Sequence, residues 1–212
     1  MSFRNVLFDF DGCLANTLDL WIDVCRDCLH ERNIAATREQ IIRDIIVKYE
    51  NITRFGIEDP RAFSDVLSNT VKHRVDKVTL NPYAAEVVNT LKEEGKSVAI
   101  VTTSSDSFVK PAIDLLGIAD RIDAIVTYDS VTNHKPHPEP LELAISIMGG
   151  TRAETIMVGD TRNDILAGKA ATVATSLYFP PEHEEIYDKD FLLGLNADYY
   201  IRDLREVLRI AA

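Results

Sequence analysis

A chain of 212 residues has room for one domain with an insertion, or two small domains, and for a real hydrophobic core. Apolar residues at 46%, charged residues at 27%, nine glycines and eight prolines are ordinary globular usage, which excludes disordered and collagen-like readings. Thirty-four acidic residues against 23 basic ones give a net charge of −11; this opposes general binding to nucleic acid or anionic membrane, so an anionic substrate needs a local positive site.

In chain order, Asn5 to Phe10 is a short apolar run ending in Asp-Phe-Asp-Gly, as a buried strand meeting a turn should. From Thr17 to Val78 the rhythm is helical. Leu18, Trp21, Val24, Cys25, Cys28 and Leu29 recur at three-and-four spacing, and Thr37-Arg38-Glu39-Gln40 has the form of a capping box. Ile41, Ile42, Ile45, Ile46 and Tyr49 continue that second helix. A third starts at Asp59-Pro60 and carries Phe63, Val66, Leu67, Val71, Val75 and Val78. After Pro82 helix and strand alternate: a helix over 84–94 closed by Gly95, then a strand over 97–101. Further strands are predicted over 124–127, 155–158 and 173–177, with helices over 111–116, 139–148 and 163–171.

This alternation predicts an α/β fold, a Rossmann-like parallel sheet with helices on both faces. Because the first strand precedes the helical block, residues 1–16 and 80–212 read as the core and residues 17–79 as an inserted all-helical domain. Three cysteines, an odd number, suit a reducing interior. With no signal-peptide apolar region and no run of ~18–20 apolar residues, the expected location is cytoplasmic, away from nucleic acid and membrane.

Ligands of open parallel sheets bind beyond the carboxyl ends of the strands. There the sequence places Asp9 and Asp11 after the first strand, Thr102 and Thr103 after the second, Lys135 in the loop after the third, and Asp160 and Asp164 after the fourth. Asp9 and Asp11, two apart, project to one side of extended chain, and Gly12 permits the turn that follows. Carboxylates so close repel one another, and a hard divalent ion held by oxygen is the economical remedy, magnesium best of all. Hydroxyls at Thr102 and Thr103 and the Lys135 ammonium then suit a phosphoryl group in transfer.

These segments, Asp9-Phe-Asp11-Gly12-Cys13-Leu14-Ala15-Asn16-Thr17, Val-Thr102-Thr103-Ser, Lys135-Pro136-His-Pro138 and Gly159-Asp160-Thr-Arg-Asn-Asp164, follow the order and spacing of a known family. The chain resembles the haloacid dehalogenase-like hydrolases, in the phosphoglycolate-phosphatase-like and β-phosphoglucomutase-like branch. The resemblance implies a phosphatase, with Asp9 as nucleophile and Asp11 as general acid and base, lending its backbone carbonyl to the metal. It also implies Asp160 as a metal carboxylate, Asp164 as a support at the metal site, Thr102 as phosphate clamp and Lys135 as charge compensator. The insert looks like the family's cap. Thr103, and in the link between cap helices Lys48 and Arg54, are candidate substrate contacts.

The expected substrate is a small phosphorylated metabolite handled by a monomer or homodimer. A phosphomutase, or a regulatory protein without useful turnover, is the alternative. Cys13 stands where the family often has Thr, Asn16 where Asp is common, Thr103 where Asn is common and Tyr83 where Gly is frequent. None of these removes a catalytic group. Cys25-x-x-Cys28 with His30 falls short of a zinc site and reads as core packing; His134 and His137 read as surface residues, and Cys13 as a candidate redox sensor if exposed.

Overall fold

Val6, Leu7 and Phe8 are wholly buried, as a strand flanked on both edges and covered on both faces must be, and β1 (Asn5–Phe8) is that strand. In this computed structural model, which describes residues 2–212, β1 pairs in parallel with β4 (Ser97–Val101) on one side and β6 (Thr155–Gly159) on the other. The sheet extends through β5 (Ala124–Val126) at one edge and through β7 (Ala174–Tyr178) and β8 (Tyr199–Ile201) at the other. All six strands are parallel, in the order β5-β4-β1-β6-β7-β8.

Alternate residues of β1 serve opposite faces. Val6 and Phe8 join a core completed by α4 (Ala84–Glu93), α5 (Asp106–Leu115) and α9 (Glu206–Ala211), through Val87, Phe108 and Val207. Leu7 joins a separate core under α6 (Glu139–Met148) and α7 (Arg162–Ala171), with Leu141 and Ala167. The predicted fold class is therefore the observed one. Residues 180–212, for which the pattern offered no element, add β8, the short α8 (Lys189–Leu193) and α9.

The helical insert leaves and rejoins the sheet domain at one place. β2 (Ala15–Asn16) and β3 (Thr79–Leu80) pair antiparallel, Ala15 opposite Leu80 and Asn16 opposite Thr79. The Asn81 amide locks this junction by donating to the Gly12 and Cys13 carbonyls at 3.0 and 2.7 Å. Between the two strands lie α1 (Leu18–His30), α2 (Arg38–Ile41) and α3 (Pro60–Val71). Both predicted caps are present. Thr37 Oγ1 accepts from Gln40 N while Gln40 Oε1 accepts from Thr37 N, and the Asp59 carboxylate accepts from Arg61 N and Ala62 N.

Three predicted boundaries are corrected. The second helix does not run on to Tyr49: α2 passes into a π-helical turn over Ile42–Ile46 and then a 3-10 segment over Tyr49–Phe55. Asp44, buried in that stretch, gathers Arg43, Asn51 and Arg54 around its carboxylate, and satisfying it bends the chain out of α-helix. The third helix stops at Val71, because Arg74 leaves helical geometry, with φ −120°, and bonds Asp27 across the insert. Pro111 does not open α5 but sits inside it; the helix starts at Asp106. Among the described residues no helix is long and apolar enough to cross a membrane.

Candidate active site

The carboxyl ends of β1, β4 and β6 meet at one edge of the sheet, and Lys135 reaches across it. Its ammonium donates to Asp164 Oδ1 at 2.6 Å and to the Val101 carbonyl at 2.8 Å, and stands 2.9 Å from Asp9 Oδ1. Three acceptors match its three protons, and its side chain is only 2% exposed. Asp9 Oδ1 also accepts from Phe10 N at 2.7 Å, which leaves Oδ2 to the cleft that Asp9 lines. Asp164 Oδ2 accepts from Thr161 N and Oγ1 at 3.0 and 2.6 Å, the capping box of α7. Its helix-capping role and its grip on Lys135 are thus one arrangement.

Asp160 is different. It is wholly buried, and neither carboxylate oxygen has a hydrogen-bond partner. Gly12, with φ +75°, passes so close that a Cβ there would collide with Asp160 Oδ2; the glycine serves both the turn and the pocket behind it. Asp9, Asp160 and Asp164 each bring an oxygen within 4.8 Å of the others. Three carboxylates around one ammonium leave an excess of negative charge. Burial, and then the Asp164 carboxylate, push Asp9 up to about 7 despite Lys135. Burial, with Asp9 and Asp164, holds Asp160 well above the carboxylate range. Burial works against the Lys135 charge, but Asp164 and Asp9 outweigh it and raise the ammonium above its ordinary value. The orphaned oxygens of Asp160 and an all-oxygen donor set fit a hard divalent cation such as magnesium.

Asp11 does not join that cluster. β1 ends at Phe8, two residues earlier than predicted, so strand alternation does not carry through Asp9 and Asp11. The Asp11 carboxylate turns toward the insert. Oδ1 accepts from Thr17 Oγ1 and Trp21 Nε1, both at 2.7 Å, and Oδ2 accepts from Ser104 Oγ at 2.6 Å and Thr102 Oγ1 at 3.5 Å. Thr102 in turn accepts from Ser104 N at 3.0 Å. Trp21 and Ser104 were not singled out from the sequence. Trp21 had the spacing of a core position, and Ser104 is one of four consecutive hydroxyl residues.

A cleft of about 290 Å³ opens above Asp9, Asp11 and Lys135. Thr103 lines it together with Tyr49, Ser64, Leu67 and Ser68 of the insert. Lys48 and Arg54 are not among its lining residues; Arg54 instead pairs with Asp44 at 3.0 Å. The segment after β7 contributes Tyr187 to the cleft, and behind it His183 Nδ1 lies 3.8 Å from Asp160 Oδ2. Burial lowers His183 to about 4, so it is neutral at pH 7. Cys13 is fully buried, its thiol raised by burial and by Asp160, which removes the redox-sensor reading. Cys25 and Cys28 are buried in the core, as expected.

The chain is similar to known proteins over nearly its whole length. The profile of the haloacid dehalogenase-like hydrolases matches residues 6–177. A pyrophosphatase PpaX from Halalkalibacterium halodurans is 35% identical over 217 residues, covering 99% of this chain and 97% of the relative. A Lactobacillus plantarum structure assigned as a phosphoglycolate phosphatase superposes with a TM-score of 0.85 at 19% identity, over 99% of both chains. CbbY from Rhodobacter sphaeroides, in complex with phosphate, gives 0.77 at 21% identity, over 97% of this chain and 96% of that one.

Proposed function

The chain belongs to the haloacid dehalogenase-like hydrolases and is a phosphatase of that family, and from this premise we propose that it hydrolyses a small phosphorylated metabolite, with magnesium, through an aspartyl-phosphate. The observation that carries the reading is the Lys135 ammonium shared between Asp9 and Asp164 beside the unpartnered Asp160. Asp9 and Asp160 would hold the cation, joined by the Asp11 backbone carbonyl, with Asp164 in support. When bound, magnesium supplies positive charge against the phosphoryl oxygens and the carboxylates.

Lys135 and the Phe10 amide hold Asp9 by Oδ1, so Oδ2 is the oxygen that attacks phosphorus. The bond from phosphorus to the leaving oxygen breaks, and Asp11 gives that oxygen its proton. Asp11, now a carboxylate, takes a proton from water. The hydroxide oxygen bonds to phosphorus, the Asp9–phosphorus bond breaks, and phosphate and free Asp9 are restored. Thr17, Trp21 and Ser104 orient Asp11 throughout. Thr102 and the amide after it would clamp the phosphoryl group, and the insert would act as a cap that excludes bulk water.

The test is phosphate release from a panel of phosphorylated metabolites and pyrophosphate, with and without Mg²⁺, for wild type and Asp9→Asn. Magnesium-dependent release that the variant abolishes is expected. A folded protein releasing phosphate from none of them would overturn the reading.

A further inference from the structure

His183 is only 4% exposed, lies outside the lining of the cleft, and has no part in the reaction described above. Its place is set by the turn that follows β7. Phe179 N donates to the Ile201 carbonyl, extending the pairing with β8, and Pro180-Pro181 then opens a 3-10 turn over Pro181–Glu185. The His183 carbonyl accepts from Ile186 N and Tyr187 N at 3.0 and 2.9 Å, which closes that turn. Three rings meet the imidazole edge-on, with centroids 5.8 Å away for Tyr178, 6.1 Å for Phe179 and 5.5 Å for Tyr187. A ring so enclosed keeps one orientation.

That orientation brings Nδ1 to Asp160. The nitrogen lies 3.8 Å from Asp160 Oδ2, and both atoms are buried without a hydrogen-bond partner. Leaving either unpaired is costly, and a shift of about 1 Å would join them at ordinary hydrogen-bond length. Gly12 covers the same oxygen, approaching Oδ2 so closely that no Cβ fits between them. With Oδ2 enclosed by Gly12 and His183, Oδ1 is the oxygen left for a cation. The charge of the imidazole matters as well. An ammonium in this position would repel a metal ion, whereas burial keeps His183 neutral at pH 7, so it directs the carboxylate without opposing the cation. Tyr187 also borders Asp160, and burial and that carboxylate raise its hydroxyl, but it lines the cleft and is open to substrate there.

We propose that His183 is a positioning residue of the metal site, its Nδ1–H donating to Asp160 Oδ2 so that Oδ1 is turned toward the cation. This rests on the reading of Asp9 and Asp160 as the carboxylates that hold magnesium. His183 touches neither substrate nor the reacting atoms; it acts through Asp160. A group that orients a metal carboxylate from behind contributes about 10–100-fold to metal affinity. Asn places an amide nitrogen as many bonds from the backbone as Nδ1 of His, whereas Leu and Phe fill the space and offer no donor.

The experiment is thermal unfolding against Mg²⁺ concentration, without substrate, each protein compared with its own metal-free Tm, which reads Mg²⁺ affinity independently of turnover. Wild type is set beside His183→Leu, His183→Phe, His183→Asn and Asp160→Asn. The expected result is that His183→Leu needs at least about tenfold more Mg²⁺ than wild type for the same rise in Tm, while His183→Asn stays within about threefold. His183→Phe, which keeps a flat ring among the three aromatics, is held to the same criterion and decides the matter where His183→Leu does not fold. Wild-type Mg²⁺ affinity in the folded donor-free variants, or a loss in His183→Asn as large as theirs, would overturn the proposal. Asp160→Asn keeps the two readings apart. If it too binds Mg²⁺ like wild type, the metal reading itself fails; if it loses Mg²⁺ binding and the donor-free variants do not, only the role of His183 is lost.

Discussion

The Trp21 indole donates its Nε1 proton to Asp11 Oδ1 at 2.7 Å, so a residue of the insert orients the carboxylate to which we assign the proton transfers. The same ring sits edge-on to Phe108 with centroids 5.8 Å apart, and Phe108 sits edge-on to Phe10 at 6.1 Å. An aromatic chain therefore runs from the insert into the sheet domain, anchoring the indole from behind. Trp21→Phe keeps the ring and removes the donor. A hydrogen bond to a charged group contributes about 1.5–3 kcal/mol to stability, so the melting temperature should fall accordingly, and kcat should fall by about tenfold or more because Asp11 is less firmly oriented. Unaltered kcat would show that Thr17 and Ser104 suffice to orient Asp11.

Lys135→Ala leaves buried carboxylates without their cation. Breaking a buried charge pair from one side costs about 3–5 kcal/mol, so the metal-free variant should unfold at markedly lower temperature. Mg²⁺ should recover part of the loss, because it supplies the missing charge to Asp9 and Asp160. A melting temperature equal to wild type without metal would contradict the account of the site.

Asp160→Asn should do the reverse. It replaces a buried carboxyl that burial and the Asp9 and Asp164 carboxylates hold well above the carboxylate range, so the metal-free variant should be at least as stable as wild type. It should lose the Mg²⁺-induced rise in melting temperature that wild type shows, and with it turnover. A variant that is destabilised, or that still responds fully to Mg²⁺, would place the cation elsewhere.

The raised Asp9 gives a pH signature. Its carboxyl goes from about 3.9 in the unfolded chain to about 7 in the fold, so between these values the folded state binds more protons. Metal-free wild type, measured against Asp9→Asn, should therefore lose stability as pH rises from about 4 to about 7 and level off above. The slope is at most about 1.4 kcal/mol per pH unit for one group. Saturating Mg²⁺ should flatten it. A difference that grows with pH would have the wrong sign for a carboxyl raised by burial.

Much of this was legible in the sequence because it depends on short-range pattern. Val6, Leu7 and Phe8 read as a buried strand, Thr37 and Asp59 as caps, and the polar residues after each strand as one edge, because parallel topology brings those ends together. The Asp11 environment was not legible. Trp21 and Ser104 meet Asp11 only through the folding of α1 and of the loop after β4, and an indole at helical spacing looks like core. Asp44 was equally silent: its partners Arg43, Asn51 and Arg54 become a cluster only once the helix has broken, and Arg54 looked free for substrate. Tyr83 shows the complement. It stands where glycine is frequent in the resembling family, and the backbone explains why, with φ +66° at the start of α4. The Arg205 guanidinium, 3.5 Å over its ring, gives the tyrosine a contact glycine would lack.

The insert crosses into the sheet domain through only two strands of two residues each, neighbours in space at Asn16 and Thr79 and pinned by Asn81. Whatever happens between those two points changes neither the register of β1 nor the placing of Asp9, Lys135, Asp160 and Asp164. Helices there can lengthen, shorten or be exchanged while that edge of the sheet stays still, so insert and sheet edge are free to vary separately. Thr17 and Trp21 are the exceptions, and a transplanted insert would have to bring both donors to Asp11 with it.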